Sequence, residues 1–204
     1  MALPEIAITI ILVNDGSSMD LTGGVNQLKS SLPIVVFSND KNMGKGYSIR
    51  KAAINSQADH LIFTDVDFPY TTDSFVSLFK TLDRDSCDVA IGVRDENYYD
   101  KLPESRRRIS KLLKNINQKL MHLETADTQC GLKGMTTKGK DILLQTKQNR
   151  YLIDLEFIKQ ISKREDLNTQ LVTVKLREGV TFSKVPASKI LSEGLSYFKV
   201  LFDQ

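Results

Sequence analysis

The chain has 204 residues, 41% of them hydrophobic and 26% charged, and a formal net charge of +3. That length suits one core and a single domain over residues 1–204, and so small a charge, with no aromatics interleaved in a basic run, argues against a nucleic-acid binder. The longest apolar stretch, Ile6 to Val13, has the length of a strand and not of a membrane span, and no signal-peptide pattern precedes it, so a cytoplasmic location is expected.

Strand-like and helix-like patterns alternate along the chain. Ile6 to Val13 reads as a strand, Leu21 to Leu28 as a glycine-interrupted helix, Ile34 to Phe37 as a strand and Gly46 to Ser56 as a helix. A strand at His60 to Thr64, a helix at Asp73 to Leu82, a strand at Asp88 to Val93 and a long helix from Glu104 to Leu123 continue the alternation. The remainder is less regular: Lys138 to Thr146, Ile153 to Ser162, strands at Leu171 to Lys175 and Val180 to Phe182, and a helix from Ala187 to Phe202. This order predicts an α/β fold of three layers with a mostly parallel central sheet, whose ligands sit at the carboxyl ends of the strands.

Residues with chemistry fall at those ends. Asp65-Val66-Asp67 follows a buried strand, and residues two apart on an extended chain point to the same side, so both carboxylates are expected to face one spot. Two carboxylates so close need a cation, and a divalent metal, Mg or Mn, holding a diphosphate is the common answer; an ordinary acidic loop is the plainer one. Val13-Asn14-Asp15-Gly16 places Asp15 where it could accept a hydrogen bond from a nucleobase, or else form an Asp-Gly turn. In Asn42-Met43-Gly44-Lys45-Gly46, glycines precede a helix and would leave its first amides open to an anion, although the spacing is not that of a P-loop. Arg94 ends the Asp88 strand as a phosphate partner or a surface arginine. Cys87 and Cys130 lack metal-ligand spacing; Cys87 is expected to be reduced and structural, and Cys130 lies within the stretch ADTQCGLKG. On the Glu104 helix, Ile109, Leu112, Leu113, Ile116 and Leu120 form an apolar stripe, with Arg106, Arg107, Arg108, Lys111, Lys114 and Lys119 around it. Such a helix is either packed on a core with a solvated basic face or laid on a membrane surface.

In this order the stretches VNDGSS, NMGKGYSIRKAA, LIFTDVDFPYT, DVAIGVR, ADTQCGLKG and IDLEFI resemble the family 2 glycosyltransferases of GT-A fold. They are most similar to the branch of polyprenyl-phosphate and dolichyl-phosphate sugar synthases, and within it to the dolichyl-phosphate glucosyltransferases. The resemblance implies a metal-dependent, inverting transfer of a hexose from a nucleotide sugar, of the UDP-glucose or GDP-mannose type, to a polyprenyl-phosphate or glycan acceptor. It places Val13, Asp15 and Lys45 at the nucleotide, Asp65 and Asp67 at the metal and diphosphate, and Arg94 near the phosphates. Arg106, Arg107 and Arg108 become candidates for the acceptor phosphate, although three adjacent helical residues cannot all face one ligand. For a hydroxyl acceptor Asp127 is the candidate base, with Asp154 and Glu156 supporting the site from a helix. The family's late basic residue has no clean counterpart, and Lys184 is taken for it. A lipid acceptor would require a peripheral seat on the cytoplasmic face of a membrane.

Family members also carry a strand and helix ahead of the Asp15 strand that are not found in this sequence. Without them two interior strands are expected to have unpaired edges, unless another segment or a second copy in a homo-oligomer fills the gap. An inactive nucleotide- or partner-binding remnant is therefore the alternative. A nucleotidyltransferase fits less well, because its glycine-rich loop with Arg and Lys is not found.

Overall fold

A computed structural model describes residues 6–19, 21–83, 87–95, 98, 104, 107–108, 127 and 130–180. Residues 181–182 of the expected strand at 180–182, Lys184, the expected helix at 187–202, Arg106 and most of the 104–123 helix lie outside them. In chain order the elements are β1 (Ile10–Asn14), α1 (Thr22–Lys29), β2 (Ile34–Ser38), α2 (Lys45–Ile54), β3 (His60–Phe63), α3 (Thr72–Leu82), β4 (Val89–Arg94), β5 (Lys133–Thr136), α4 (Thr137–Gln145), α5 (Ile153–Ile161) and β6 (Thr169–Val174). The apolar start of the first expected strand, Ile6 to Thr9, lies ahead of β1, and β5 has no counterpart among the expected strands. At α3, Thr71 Oγ1 accepts the Ser74 amide at 3.3 Å and Asp73 lies in the first turn, so cap and dipole fix that start together.

The strands form two sheets. β1 and β2 pair in parallel, Ile10 with Ile34 through Asn14 with Ser38. The second sheet has the order β3-β5-β4-β6, with β5 antiparallel to both neighbours and β4 parallel to β6. Thus β3, β4 and β6 run the same way, and their carboxyl ends open on one side. Among the described residues no strand lies on the outer edge of β3 or on the second edge of β1, where a single central sheet was expected. Helix α2 spans the break, packing on β1 while Ala53 is fully buried in the core of the second sheet.

That core has two sides, following the alternation of side chains along a strand. Val89, Ile91 and Met135 face Ile142 and Leu143 of α4 and Ile153, Phe157, Ile158 and Ile161 of α5. Ala90, Leu132, Val172 and Val174 face Leu78 and Leu82 of α3. Helices on both faces of the second sheet make the three layers. Cys87 and Cys130 are free and buried. No described helix is long and apolar enough to cross a membrane.

Candidate active site

The acidic pair sits on a turn and not on an extended strand. β3 stops at Phe63, the Phe68 amide donates to the Asp65 carbonyl at 3.0 Å, and Phe68 takes φ 44°, so residues 65–68 close a tight turn. The two-residue alternation that was to align both carboxylates does not apply there. The turn is held from behind by a residue that the sequence did not single out. Arg177, beyond β6, donates through Nη2 to the Asp67 carbonyl at 2.8 Å and through Nε to the Phe68 carbonyl. The Phe68 ring stacks on Phe75 of α3 with 5.4 Å between centroids.

The cation beside Asp65 is a lysine. Lys45 Nζ lies 3.0 Å from Asp65 Oδ1 and 2.9 Å from Asp154 Oδ2. Asp154, on the first turn of α5, takes Lys133 Nζ on its other oxygen at 2.6 Å, and Lys133 also donates to the Cys130 carbonyl. Lys133 is fully buried, and its ammonium stands 5.7 Å from the Phe63 ring centroid. The result is a line of alternating charge, Lys133, Asp154, Lys45, Asp65. Burial disfavours charge on Lys45, but Asp154 and Asp65 outweigh it and raise its pKa above the ordinary lysine value. Burial likewise opposes the Asp154 carboxylate, yet Lys133 and Lys45 hold its pKa below the usual range. Gly131 completes the seat, because a Cβ there would stand 2.0 Å from Asp65 Oδ2; any side chain would evict the carboxylate.

The expected anion-binding helix start is closed. The Gly46 and Tyr47 amides donate to the Asn149 carbonyl at 2.7 and 3.2 Å, and Arg50 donates to Thr146 Oγ1 and the Gln148 carbonyl. Positive charge at this end of α2 therefore comes from Lys45 and not from open amides. Glu156 Oε2 accepts the amides of Lys147 and Gln148 at 2.9 and 2.7 Å, so from the first turn of α5 Glu156 holds the segment that closes α2, while Asp154 holds the two lysines. A Cβ on Gly46 would meet the Gln148 carbonyl at 2.3 Å. Gly46→Ala is expected to cost about 1–3 kcal/mol in urea denaturation through this overpacking.

Asp15 leaves the end of β1 and turns into the loop before α2. Its Oδ1 accepts from Asn39 Nδ2 and the Met43 amide, and its Oδ2 from the Gly44 amide, each at 2.8 Å. Burial would raise its pKa, but these bonds prevail and lower it. Asp15 thus shapes the loop that delivers Lys45, and Val13 lies on β1 opposite Phe37.

Arg94 and Asp127 are spent on each other. Arg94 Nε reaches Asp127 Oδ1 and Oδ2 at 2.9 and 2.8 Å, Nη2 also pairs with Oδ1, and the Arg94 amide donates to Oδ2 at 2.8 Å. Nη1 donates to Tyr98 Oη at 2.6 Å, and the guanidinium lies 4.2 Å over that ring. Burial disfavours its charge, but Asp127 raises the Arg94 pKa further than burial lowers it. The guanidinium expected at a phosphate and the carboxylate expected as a base instead form one buried, fork-to-fork pair. The Tyr70 hydroxyl, just beyond the acidic turn, accepts from Cys130 Sγ and the Gly131 amide, each at 3.2 Å. Of the candidate acceptor arginines, Arg107 and Arg108 are described, and Arg108 pairs with Glu104 one turn away at an exposed surface.

Among the described residues no three metal-ligating side chains converge. Asp65 and Asp67 offer hard carboxylate oxygens, and the Asp65 carboxylate occupies a cradle that only glycine leaves open. Two carboxylates without further protein ligands fit a cation of the Mg or Mn kind, which takes its remaining oxygens from water and a diphosphate.

A model of the family described as glycosyl transferase family 2 matches residues 2–140, which include the Asp15 loop, the Lys45 helix, the acidic turn and the Arg94–Asp127 pair. The chain belongs to glycosyl transferase family 2. No curated protein matches it significantly in sequence. Among solved structures it is similar to glucosyl-3-phosphoglycerate synthase from Mycobacterium tuberculosis, with TM-score 0.63 and 13% identity over 94% of this chain and 67% of that one. A complex of that synthase with Mn2+ and UDP-glucose gives TM-score 0.59 and 13% identity over 94% of this chain and 66% of that one. Mannosyl-3-phosphoglycerate synthase from Rubrobacter xylanophilus gives 0.65 and 12% over 95% and 62%. The chain thus spans about two thirds of their length. At these identities the likeness is one of fold, and it agrees with the GT-A architecture expected from sequence.

Proposed function

We propose that the family 2 chain carries out metal-dependent, inverting transfer of a hexose from a nucleotide sugar, of the UDP-glucose or GDP-mannose type, to a polyprenyl-phosphate or glycan acceptor. The observation that carries this reading is the Asp65 carboxylate, seated on Gly131 and faced by Lys45 at the carboxyl end of β3. Similarity to structures holding Mn2+ and UDP-glucose supports the uridine nucleotide as the first to test.

Asp65 and Asp67 would hold the cation, which when bound supplies charge for the departing diphosphate. Lys45 adds a fixed positive charge on the same side, and Asp15 sets the loop that aims it. Arg94 and Asp127 lock the end of β4. With Asp127 committed to Arg94, an acceptor that needs no base is favoured. A phosphomonoester, whose second pKa is about 6, is already ionised at neutral pH. This argues for a polyprenyl phosphate over a sugar hydroxyl, reached from the cytoplasmic face of a membrane.

Calorimetric titration with UDP-glucose and with GDP-mannose, each with and without Mn2+, tests the reading. Binding of one of them that depends on Mn2+ is the expected result. Heat from neither would favour the inactive remnant, since among the described residues no strand covers the outer edge of β3 or the second edge of β1.

A further inference from the structure

We infer that Lys45 is a resident counter-ion of the acidic turn, which competes with the divalent cation for Asp65. Asp154 and Lys133 would be the positioning residues that hold it in place. The inference rests on the reading above that Asp65 and Asp67 take the metal.

Asp65 already has a cation beside it. Oδ1 has the Lys45 ammonium at 3.0 Å, and Oδ2 lies beside the Gly131 backbone, 2.0 Å from where a Cβ would stand. A divalent ion of the Mg kind bonds carboxylate oxygen at about 2.0–2.1 Å, so on Oδ1 it must displace the ammonium, and on Oδ2 it shares one carboxylate with a like charge. Lys45 is not free to drift away. Its side chain is 21% exposed, and its second partner, Asp154, is 5% exposed and tied to a lysine with no exposure at all. Lys133, Asp154, Lys45 and Asp65 sum to zero, so of the acidic turn's two carboxylates Asp65 is compensated within the chain, and a bare cation gains less than it would from two unpaired carboxylates. A diphosphate changes that sum. Its negative charge gives Lys45 a new partner while Asp154 keeps its other bond, and releases Asp65 to the metal. Cation and diphosphate are thereby coupled: each is bound better in the presence of the other, by the same factor.

The test is the binding of Mn2+ alone, read from the loss of the free-ion electron paramagnetic resonance signal, on the whole chain and two variants. Lys45→Met keeps the aliphatic stem and removes the charge, and is expected to bind Mn2+ alone at least about tenfold more tightly than the unaltered chain. Lys45→Arg restores the charge and is expected to return the affinity to the original level. Equal or weaker Mn2+ binding by Lys45→Met overturns the inference, and so does equally tight binding by both variants. If the unaltered chain binds a nucleotide sugar with Mn2+ but Lys45→Met shows no gain, this inference fails and the proposed function stands. If no form binds Mn2+, either alone or with a nucleotide sugar, both fail.

Discussion

Asp154→Ala is expected to lower the stability of the fold by about 3–5 kcal/mol, the usual cost of stranding a buried ionic partner. Here the stranded groups are two ammoniums. Lys133 has no exposure and retains the Cys130 carbonyl and the Phe63 ring but no carboxylate among the described residues, and Lys45 retains Asp65. Replacing the surface pair of Arg108 and Glu104, 78% and 64% exposed, should change little by comparison. The sign of the pH dependence follows from the pKa directions. Asp154 is depressed by folding, so its contribution is complete above the unfolded value of about 3.9 and is lost as pH falls through its lower folded value. Lys45 is raised, so its contribution is complete below the unfolded value of about 10.4 and is lost as pH rises through its higher folded value. The gap between the variant and the unaltered chain should therefore be flat from about pH 5 to about pH 9 and close only outside that window. Urea denaturation across pH measures it, and a gap under about 1 kcal/mol at neutral pH would refute the buried triad.

Asp67→Asn should separate catalysis from folding. Among the described residues the Asp67 carboxylate has no ion-pair partner, and Arg177 holds the residue by its carbonyl, which asparagine retains. The substitution is expected to change stability by less than about 0.5 kcal/mol, as at most surface positions. Sugar transfer should fall by about 100- to 1,000-fold, the usual effect of removing one electrostatic contact to a developing charge. Turnover of UDP-glucose or GDP-mannose with a polyprenyl phosphate, measured beside thermal unfolding, gives both readings. Full activity would remove Asp67 from the site. Matched losses of activity and stability would make its role structural.

The elements legible in the sequence were those whose side chains obey one period. Helix α3 shows its apolar face, and β4 its short apolar run. Strand β5 was not legible, because Lys133-Gly134-Met135-Thr136 has neither alternation nor an apolar run. It is a strand because Leu78 and Leu82 press onto Gly134 from one side and Asp154 neutralises Lys133, and both partners are remote in sequence. At the candidate site, Asp65 and Lys45 were legible separately, one for a metal and one for a nucleotide, and not as each other's partner. The Arg94–Asp127 pair was likewise split into two roles, since its members are 33 positions apart and only the fold brings them together. Arg177 gave no signal, because it acts on carbonyls of the acidic turn and belongs to no motif.

The clasp between α2 and the segment ahead of α5 bears on how the molecule is made. Arg50 reaches Thr146 across 96 positions and Lys45 reaches Asp154 across 109. Closing so long a loop costs entropy before any contact repays it, and contacts of this range slow folding. The β1–β2 unit and its crossover helix are local and can form early, yet Lys45 has only Asp65 to hold it until α5 has been synthesised and docked. The full line of charge is therefore completed late, and a chain still emerging from the ribosome would carry its acidic turn with a lysine not yet tied to Asp154 and Lys133.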